Sequence, residues 1–199
     1  MKFILAIPAL FILSACATVR PGNQSAEVRA EQTLSVSLAA LDSFVAFEHR
    51  RRADVPPLVR DVAARVRLNA PRALDSANAL RLAYKGNRTA ANEAGLLTAL
   101  AVVESLVSEI RVWVPATSAS GPGASPVADL IREARASQTV TAQSWVALVP
   151  VFVDLAREIY AVVNRTREAV KQDAEWTLAE EADFAVKLAA LKTAEHWRQ

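Results

Sequence analysis

The sequence predicts an all-α protein, built as an elongated antiparallel bundle of four long helices with a shorter C-terminal helix. The 199 residues include 40 alanines but only 5 glycines, and 6% are aromatic, a composition that favours helix over sheet. Apolar residues recur three and four positions apart through four long stretches. Prolines and glycines separate most of these stretches, as expected of short connections between antiparallel neighbours.

The first two helices are predicted over residues 26–52 and from Pro57 onward. The first carries an apolar stripe at helical spacing: Leu34, Leu38, Leu41, Phe44, Val45 and Phe47. The second is expected to kink or restart at Asn69-Ala-Pro71, with Asn69 as a cap, because proline cannot donate a helical hydrogen bond. Gly86 is its expected stop.

The third helix has the longest regular pattern, an unbroken 4-3-4-3-4 seam of the kind that packs helices nearly parallel. The seam consists of Leu96, Leu100, Val103, Val107, Ile110 and Val114. Pro115 is expected to end the helix. Residues 116–126 contain only Ala, Thr, Ser, Gly and Pro, and are therefore predicted to form a loop.

A fourth helical region starts near Pro126, with a pause expected at residues 137–141. The apolar run 145–153 is interpreted as a buried helix kinked at Pro150, because the helical period continues beyond it. That period is carried by Leu148, Phe152, Leu155, Ile159 and Val162. Charged residues follow the run at once, which argues against a membrane span.

The last and shorter helix begins with a capping box, Thr177-Leu-Ala-Glu180. Its inward residues are predicted to be Phe184, Leu188 and Leu191. The four tryptophans are Trp113, Trp145, Trp176 and Trp197. Tryptophans at helix ends are expected to close the bundle core in preference to forming a docking surface.

The first residues predict export and lipid attachment. Residues 3–13 form an uncharged apolar run, shorter than the roughly 20 residues that a membrane-spanning helix needs. The run ends in Leu13-Ser14-Ala15-Cys16, which resembles the lipobox of bacterial lipoproteins, and Cys16 is the only cysteine. The resemblance implies cleavage between Ala15 and Cys16 and acylation of Cys16. No cofactor is expected besides this covalent lipid.

The chain therefore divides into a lipoprotein signal peptide (1–15), a lipidated tether (16–25) and a helical-bundle domain (26–199). Two or more acyl chains hold a protein firmly on a membrane. Ala17 stands where the family's inner-membrane retention signal would be Asp. The resemblance thus implies an outer-membrane, periplasm-facing location.

Basic residues concentrate in one stretch. Residues 50–88 hold ten Lys or Arg against three acids, whereas residues 173–199 hold six acids against three bases. Seven arginines form a candidate contact surface: Arg50, Arg51, Arg52, Arg60, Arg65, Arg67 and Arg72. Anionic lipid, an acidic glycan or an acidic partner could bind them, or they could be solvated or pair with the acidic C-terminal helix. The predicted location and the lack of interleaved aromatics disfavour nucleic acid.

No catalytic or metal-binding pattern stands out in the sequence. GxSxG, Walker-type and GxGxxG motifs are lacking, and His49 and His196 share no metal-ligand spacing. Glu104 and Asp154 lie beside apolar seams, where a carboxylate paired with a nearby arginine is the favoured interpretation. We therefore expect a non-enzymatic protein with neither catalytic residues nor metal ligands.

The predicted function is that of a membrane-anchored lipoprotein that acts through envelope or protein contacts. An alternative is a module that holds a lipid or other apolar ligand between helices near Pro150. The ending, Glu-Trp-Thr before the last helix and His-Trp after it, resembles small uncharacterised phage and prophage proteins over about 25 residues. That resemblance implies a further alternative, a lipoprotein that blocks a receptor against superinfection. Oligomeric state stays open, because a heptad seam serves a bundle core and a dimer equally well.

Overall fold

The computed structural model describes residues 25–111, 142–170 and 174–198. Within these ranges the protein is all-helical and has no strand, which confirms the predicted fold class. The described residues form five α-helices, which are α1 (Ala26–Arg50), α2 (Pro57–Gly86), α3 (Ala90–Arg111), α4 (Ala142–Ala169) and α5 (Leu178–Thr193). A single 3-10 turn, Glu195–Trp197, follows α5.

Helices α1, α2 and α3 form an antiparallel trio around the main core. Buried ion pairs show the relative direction of α1 and α2. Arg67 in the first half of α2 reaches Glu48 near the end of α1, whereas Arg81 reaches Glu31 near its start. Three residues join α2 to α3, and Arg65 of α2 pairs with Glu109 near the end of α3.

Helix α4 packs on α1 and runs antiparallel to it. Glu158 of α4 lies beside Arg50, at the end of α1. Farther along the chain, Glu175 lies beside Arg88, which also pairs with Glu27 at the start of α1. Glu158 and Glu175 thus lie near opposite ends of α1. Because a helix rises only about 1.5 Å per residue, the short chain between them can cover the length of α1 only if α4 runs from the end of α1 toward its start.

Helix α1 is the centre of the bundle, since it contacts α2, α3, α4, α5 and the 3-10 turn. The predicted apolar seams are buried where their side chains are described, except that Val162 at the end of the α4 seam is half-buried. They include Leu34, Leu38, Leu41 and Val45 in α1, Leu96, Leu100, Val103, Val107 and Ile110 in α3, and Leu155 and Ile159 in α4. Helix α5 turns Phe184, Leu188 and Leu191 inward, as predicted.

Two helix ends agree with the sequence, and the expected restart at Asn69 is wrong. Helix α1 ends at Arg50, two residues before the expected position, and α2 stops at Gly86 as predicted. Helix α2 does not restart at Asn69; it continues through Pro71. Pro71 removes one backbone donor. Val66, Ala70 and Leu74 are fully buried on both sides of it, so packing keeps the helix continuous.

The C-terminal helix begins as its sequence predicts. The Thr177 hydroxyl accepts the Glu180 backbone N–H, and the Glu180 carboxylate accepts the Thr177 N–H at 2.7 Å. Trp176 and Trp197 are both buried, so these two tryptophans close the core, as expected. The expected loop 116–126, the pause at 137–141 and the end of the third helix at Pro115 lie outside the described residues, as do the side chains of Trp113, Trp145, Leu148 and Phe152.

Candidate contact surface and charge clusters

The corner between α1 and α2 carries the first three predicted contact arginines, and all three face carboxylates. Arg50 Nη2 lies 2.5 Å from Glu158 Oε1. Arg51 pairs with Asp54 at 3.1 Å and more loosely with Asp154 at 3.9 Å. Arg52 Nε lies 3.9 Å from Glu48 Oε1. These pairs link the corner to α4, so the corner carries far less unbalanced charge than the sequence indicates.

The contact arginines of α2 divide between surface and interior. Arg65 is exposed and pairs with Glu109 at 3.4 Å. Arg60 is half-buried and Arg72 exposed, and neither forms an ion pair within the described part of the chain. Arg67 is not a surface residue, because only 8% of it is exposed. Arg67 lies on the buried face of α2, beside Val66 and Ala70, and there it binds the buried Glu48.

The rest of the basic stretch enters a cluster of charges where α1 begins and α2 ends. We call it the Glu31 cluster. Its members are Glu27, Glu31, Arg81, Lys85, Arg88, Glu175 and Glu181. The interpretation that basic residues pair with the acidic C-terminal region is confirmed for the three cations of this cluster.

Arg81 occupies the middle of the Glu31 cluster. Its Nη1 donates to Glu31 Oε1 at 2.8 Å and to Glu181 Oε1 at 3.0 Å. Lys85 Nζ donates to the same Glu181 oxygen at 2.6 Å. Arg88 Nη2 bridges Glu27 at 2.8 Å and Glu175 at 2.5 Å. Four carboxylates and three cations from α1, α2 and the C-terminal region thus form one connected network.

Trp176 closes the Glu31 cluster on the C-terminal side. Its backbone N–H donates to Glu31 Oε2 at 2.8 Å. The Arg81 guanidinium lies 4.8 Å from the centroid of the Trp176 ring, within the range of a cation–π contact. The ring also packs on Phe184, with centroids 4.9 Å apart. The start of α5 is therefore attached to the cluster by one hydrogen bond and one cation–π contact, whereas the contact with Phe184 packs Trp176 against α5 itself.

Ionisation in the Glu31 cluster follows from burial and pairing. Burial raises the pKa of the Glu31 carboxyl to about 7, although the Trp176 N–H and Arg81 favour its charged form. The hydrogen bond from Lys85 holds the pKa of Glu181 below its ordinary value, and the same bond raises the pKa of Lys85. Glu31 is thus the member of the network that changes charge near neutral pH.

Three carboxylates of the cluster have the spacing of metal ligands. One oxygen each from Glu27, Glu31 and Glu181 lie within 4.8 Å of one another. Arg81 Nη1 lies within 3.9 Å of all three residues' carboxylates, and Lys85 Nζ within 3.7 Å of two. The protein's own cations thus stand where a metal ion would bind, and the arrangement acts as a charge network.

The other end of the C-terminal region meets a second group, which we call the Asp42 cluster. It consists of Asp42, Glu48, Arg67, His196 and Trp197. Asp42 Oδ1 accepts the Trp197 indole N–H at 2.8 Å and lies 2.8 Å from His196 Nε2. Arg67 binds Glu48 and donates to the His196 carbonyl at 2.7 Å. Both histidines of the chain lie here, with ring centroids 6.5 Å apart.

Large apolar side chains are exposed mainly on α2, α3 and α5, and we refer to these exposed positions together as the outward apolar side. It consists of Leu58, Leu68 and Leu82 on α2, Leu97 and Val102 on α3, and Leu178 and Val186 on α5. Helix α4 exposes only Tyr160 of this kind among its described side chains. Arg72 of α2, which has no ion pair with any residue that the structure describes, lies on the same helix face as Leu68, four residues away.

The two carboxylates singled out from sequence are ordinary surface groups. Glu104 is exposed, and its backbone carbonyl accepts the Ser108 hydroxyl at 2.9 Å. Asp154 is exposed and faces Arg51, as the favoured interpretation expected. Pro150, beside which an apolar ligand was an alternative, is exposed within α4. Ala15 and Cys16, the predicted cleavage and lipidation residues, lie outside the described residues.

No protein-family model, curated protein or solved structure matches this chain. Across the described helices, none is long and apolar enough to cross a membrane.

Proposed function

We propose that the protein is a lipid-anchored, non-enzymatic component of the bacterial envelope that acts by binding another envelope protein. The observation that carries this proposal is the Leu13-Ser14-Ala15-Cys16 motif at the end of an apolar run. Its resemblance to the lipobox implies a mature chain that starts at an acylated Cys16. By the same resemblance, Ala17 favours the outer membrane and its periplasmic face.

The anchor would limit how far the start of the bundle can lie from the membrane. Helix α1 begins at Ala26, nine residues after Ala17. At most about 3.5 Å per residue, the tether reaches some 30 Å. Helix α1 is 25 residues long, or about 37 Å at 1.5 Å per residue. In this arrangement the start of α1 and the Glu31 cluster stay within that reach of the membrane, and the corner at Arg50 is the end of α1 free to lie farther away.

The outward apolar side is our candidate for the partner contact. Groups of exposed apolar side chains are typical of protein-interaction sites, and arginine is enriched at interface centres. Arg72, which has no ion pair among the described residues, lies beside Leu68. The arginines of the α1–α2 corner are weaker candidates, because they face Glu158, Asp54, Asp154 and Glu48. A non-enzymatic role is supported by the use of the clustered charges to link helices.

The anchor is tested by membrane fractionation and mass spectrometry of the full chain and of Cys16→Ser. We expect the wild-type protein in the outer membrane with an acylated N-terminal peptide, and the variant in the soluble fraction. A wild-type protein that keeps residues 1–15 or carries no acyl group would contradict the proposal.

The contact surface is tested separately, with a photo-crosslinking amino acid in place of Leu68 or of Tyr160. Both side chains are large, apolar and exposed, but Tyr160 lies on α4 and is the matched control. We expect crosslinking in cells to join position 68, and not position 160, to one defined envelope protein. Equal yields from both positions would rule out the outward apolar side as the interface.

A further inference from the structure

Residues 176–198 are attached to the rest of the bundle at two ends. Trp176 binds Glu31 and Arg81 at one end, and His196 and Trp197 bind Asp42 at the other. Between them, α5 contributes Phe184, Leu188 and Leu191 to the core. We refer to residues 176–198 as the C-terminal segment.

The Glu31 cluster depends on this segment for its charge balance. With the segment in place, together with the adjacent Glu175, four carboxylates share three cations. Glu175 and Glu181 belong to the C-terminal region, so its departure would leave Glu27 and Glu31 with Arg81, Lys85 and Arg88. Two carboxylates would then face three cations, and water would reach them. The ionised form of Glu31 is therefore more stable when the segment is detached than when it is attached.

We propose that the attachment of the C-terminal segment to α1 and α2 responds to protonation of the Glu31 cluster, and is tightest when one carboxylate of the cluster carries a proton. The inference concerns a conformational response within the bundle and does not depend on the proposed lipid anchor.

Every element around Glu31 contributes to this response. Glu27 lies one helical turn from Glu31 on α1, and Arg81 and Lys85 of α2 face Glu31. Arg88, from the connection that follows α2, pairs with Glu27 and Glu175, and Glu181 approaches from α5. The Trp176 N–H completes this set as a hydrogen-bond donor to Glu31 Oε2.

The direction follows from the two protonation equilibria. The pKa of Glu31 is raised from the ordinary 4.5 to about 7 while the segment covers it. Detachment restores water and moves the pKa back toward its ordinary value. The attached state therefore binds one proton more than the detached state between these pH values, so acidification favours attachment and a rise through pH 7 favours detachment.

Hydrogen exchange of the full chain, purified in non-ionic detergent, measures this response directly. Amide exchange in residues 176–197 is followed by mass spectrometry at pH 5.5 and pH 8 and corrected for the intrinsic rate at each pH. We expect the corrected opening of the segment to increase on the order of tenfold at pH 8. Amides in α3 should not share this increase.

Glu31→Gln is the decisive variant, because glutamine has almost the same shape as a protonated glutamate and cannot lose a proton. Its one oxygen can accept from the Trp176 N–H or from Arg81, which bind different oxygens of Glu31. We expect its segment to be as protected at pH 8 as at pH 5.5. Glu109→Gln is the matched control, since Glu109 pairs with Arg65 on the surface away from the cluster. This control should keep the wild-type response. A tenfold response that persists in Glu31→Gln would overturn the proposal.

A measurement on the unaltered protein keeps the proposal testable if Glu31→Gln does not fold. The NMR signal of the Trp176 amide reports on Glu31 directly, because its N–H donates to that carboxylate. We expect this signal to titrate with a midpoint near pH 7. A Trp176 amide shift that stays constant between pH 6 and pH 8 would show that no neighbouring carboxylate titrates there, and the proposal would fail.

Discussion

The two ends of the C-terminal segment are built on different electrostatic principles. At the Trp176 end, four carboxylates meet three cations, and Arg81 is shared between Glu31 and Glu181. At the Trp197 end, the buried Glu48 has Arg67 and, more loosely, Arg52. Asp42 there receives a neutral indole N–H and a histidine ring nitrogen. The first end carries surplus negative charge, and the second is nearly balanced.

This difference shows that two attachments of similar size can differ in how they respond to conditions. A surplus of negative charge that water solvates poorly is relieved when a carboxylate binds a proton. The Trp176 end is therefore sensitive to pH. The Asp42 cluster carries no such surplus of negative charge. Its strength depends instead on the geometry of a few hydrogen bonds, of which the Asp42 bonds at 2.8 Å are good examples.

The largest effect is expected from removing the shared cation, and it tests the asymmetry directly. Arg81→Met leaves Glu31 without its guanidinium and should lower the free energy of unfolding by about 4 kcal/mol. Arg67→Met should cost less, about 3 kcal/mol, because Arg52 stays near Glu48. Urea unfolding monitored by circular dichroism measures both changes.

Arg72→Met is the matched control for these two variants. Arg72 lies on the same helix, is exposed and has no ion pair in the described ranges, so its replacement should change stability by less than about 0.5 kcal/mol. Equal losses for Arg81→Met and Arg72→Met would mean that the Glu31 cluster contributes little to the fold.

The asymmetry was not predicted from the sequence, although the helices were. The apolar period of α1 was recognised from Leu34 to Val45, and it leads to the correct buried face. Continued in both directions at the same 4-3 spacing, the period runs through glutamates. Its full course is Glu27, Glu31, Leu34, Leu38, Leu41, Val45 and Glu48, all of them buried. In the sequence, a glutamate at a position of this apolar seam indicates a buried carboxylate, and such a carboxylate needs a buried cation as its partner.

The partners of those glutamates could not be derived from the sequence in the same way. Arg67 and Arg81 look like the other arginines of a basic stretch, and only the packing of α2 against α1 separates them from exposed Arg72. The contact between Trp176 and Glu31 joins residues 145 positions apart. Local patterns predict helices and caps, because these depend on neighbours along the chain. Long-range charge pairing depends on the register of helices, which one sequence does not reveal.

The apolar middle of the segment offers a test of how the two ends are coupled. Phe184→Ala removes the ring that packs on Trp176 and should cost about 3 kcal/mol. Leu191→Ala, closer to the Trp197 end, should cost about 2 kcal/mol. Val186→Ala is the control on the same helix, because Val186 is 67% exposed, and its effect should stay below about 0.5 kcal/mol.

Hydrogen exchange of the Trp176 and Trp197 amides in these variants separates independent ends from coupled ones. If each end is independent, Phe184→Ala increases exchange at Trp176 more than at Trp197, and Leu191→Ala does the reverse. Uniform increases in both variants would show that the segment detaches as one unit.

The pH dependence of global stability should carry the signature of the Trp176 end. Since the pKa of Glu31 is raised, its contribution to the free energy of unfolding is complete below about pH 4.5 and is lost as the pH rises through 7. The free energy of unfolding should therefore increase by about 2 kcal/mol from pH 7.5 to pH 5. Glu181, whose pKa is lowered, acts in the opposite direction when the pH falls below its ordinary value of 4.5.

Urea unfolding at constant ionic strength between pH 4 and pH 8 gives this curve, and Glu31→Gln should remove most of its slope above pH 5. A wild-type protein that loses stability steadily from pH 7.5 to pH 5 would be inconsistent with a surplus of buried negative charge.

The smallest effect concerns the helix start beside Trp176. Thr177→Ala removes the hydroxyl that accepts the Glu180 N–H and should cost about 1 kcal/mol, whereas Thr177→Ser should restore most of it. Thr193→Ala is the control at the other end of α5, where the hydroxyl bonds only to the Ala190 carbonyl. Because the cap lies next to the Trp176 N–H, its loss should also increase exchange at Trp176 more than at Trp197. If Thr177→Ala and Thr193→Ala cost the same, the capping box does not hold the Trp176 end in place, and the contacts with Glu31 and Arg81 must hold it alone.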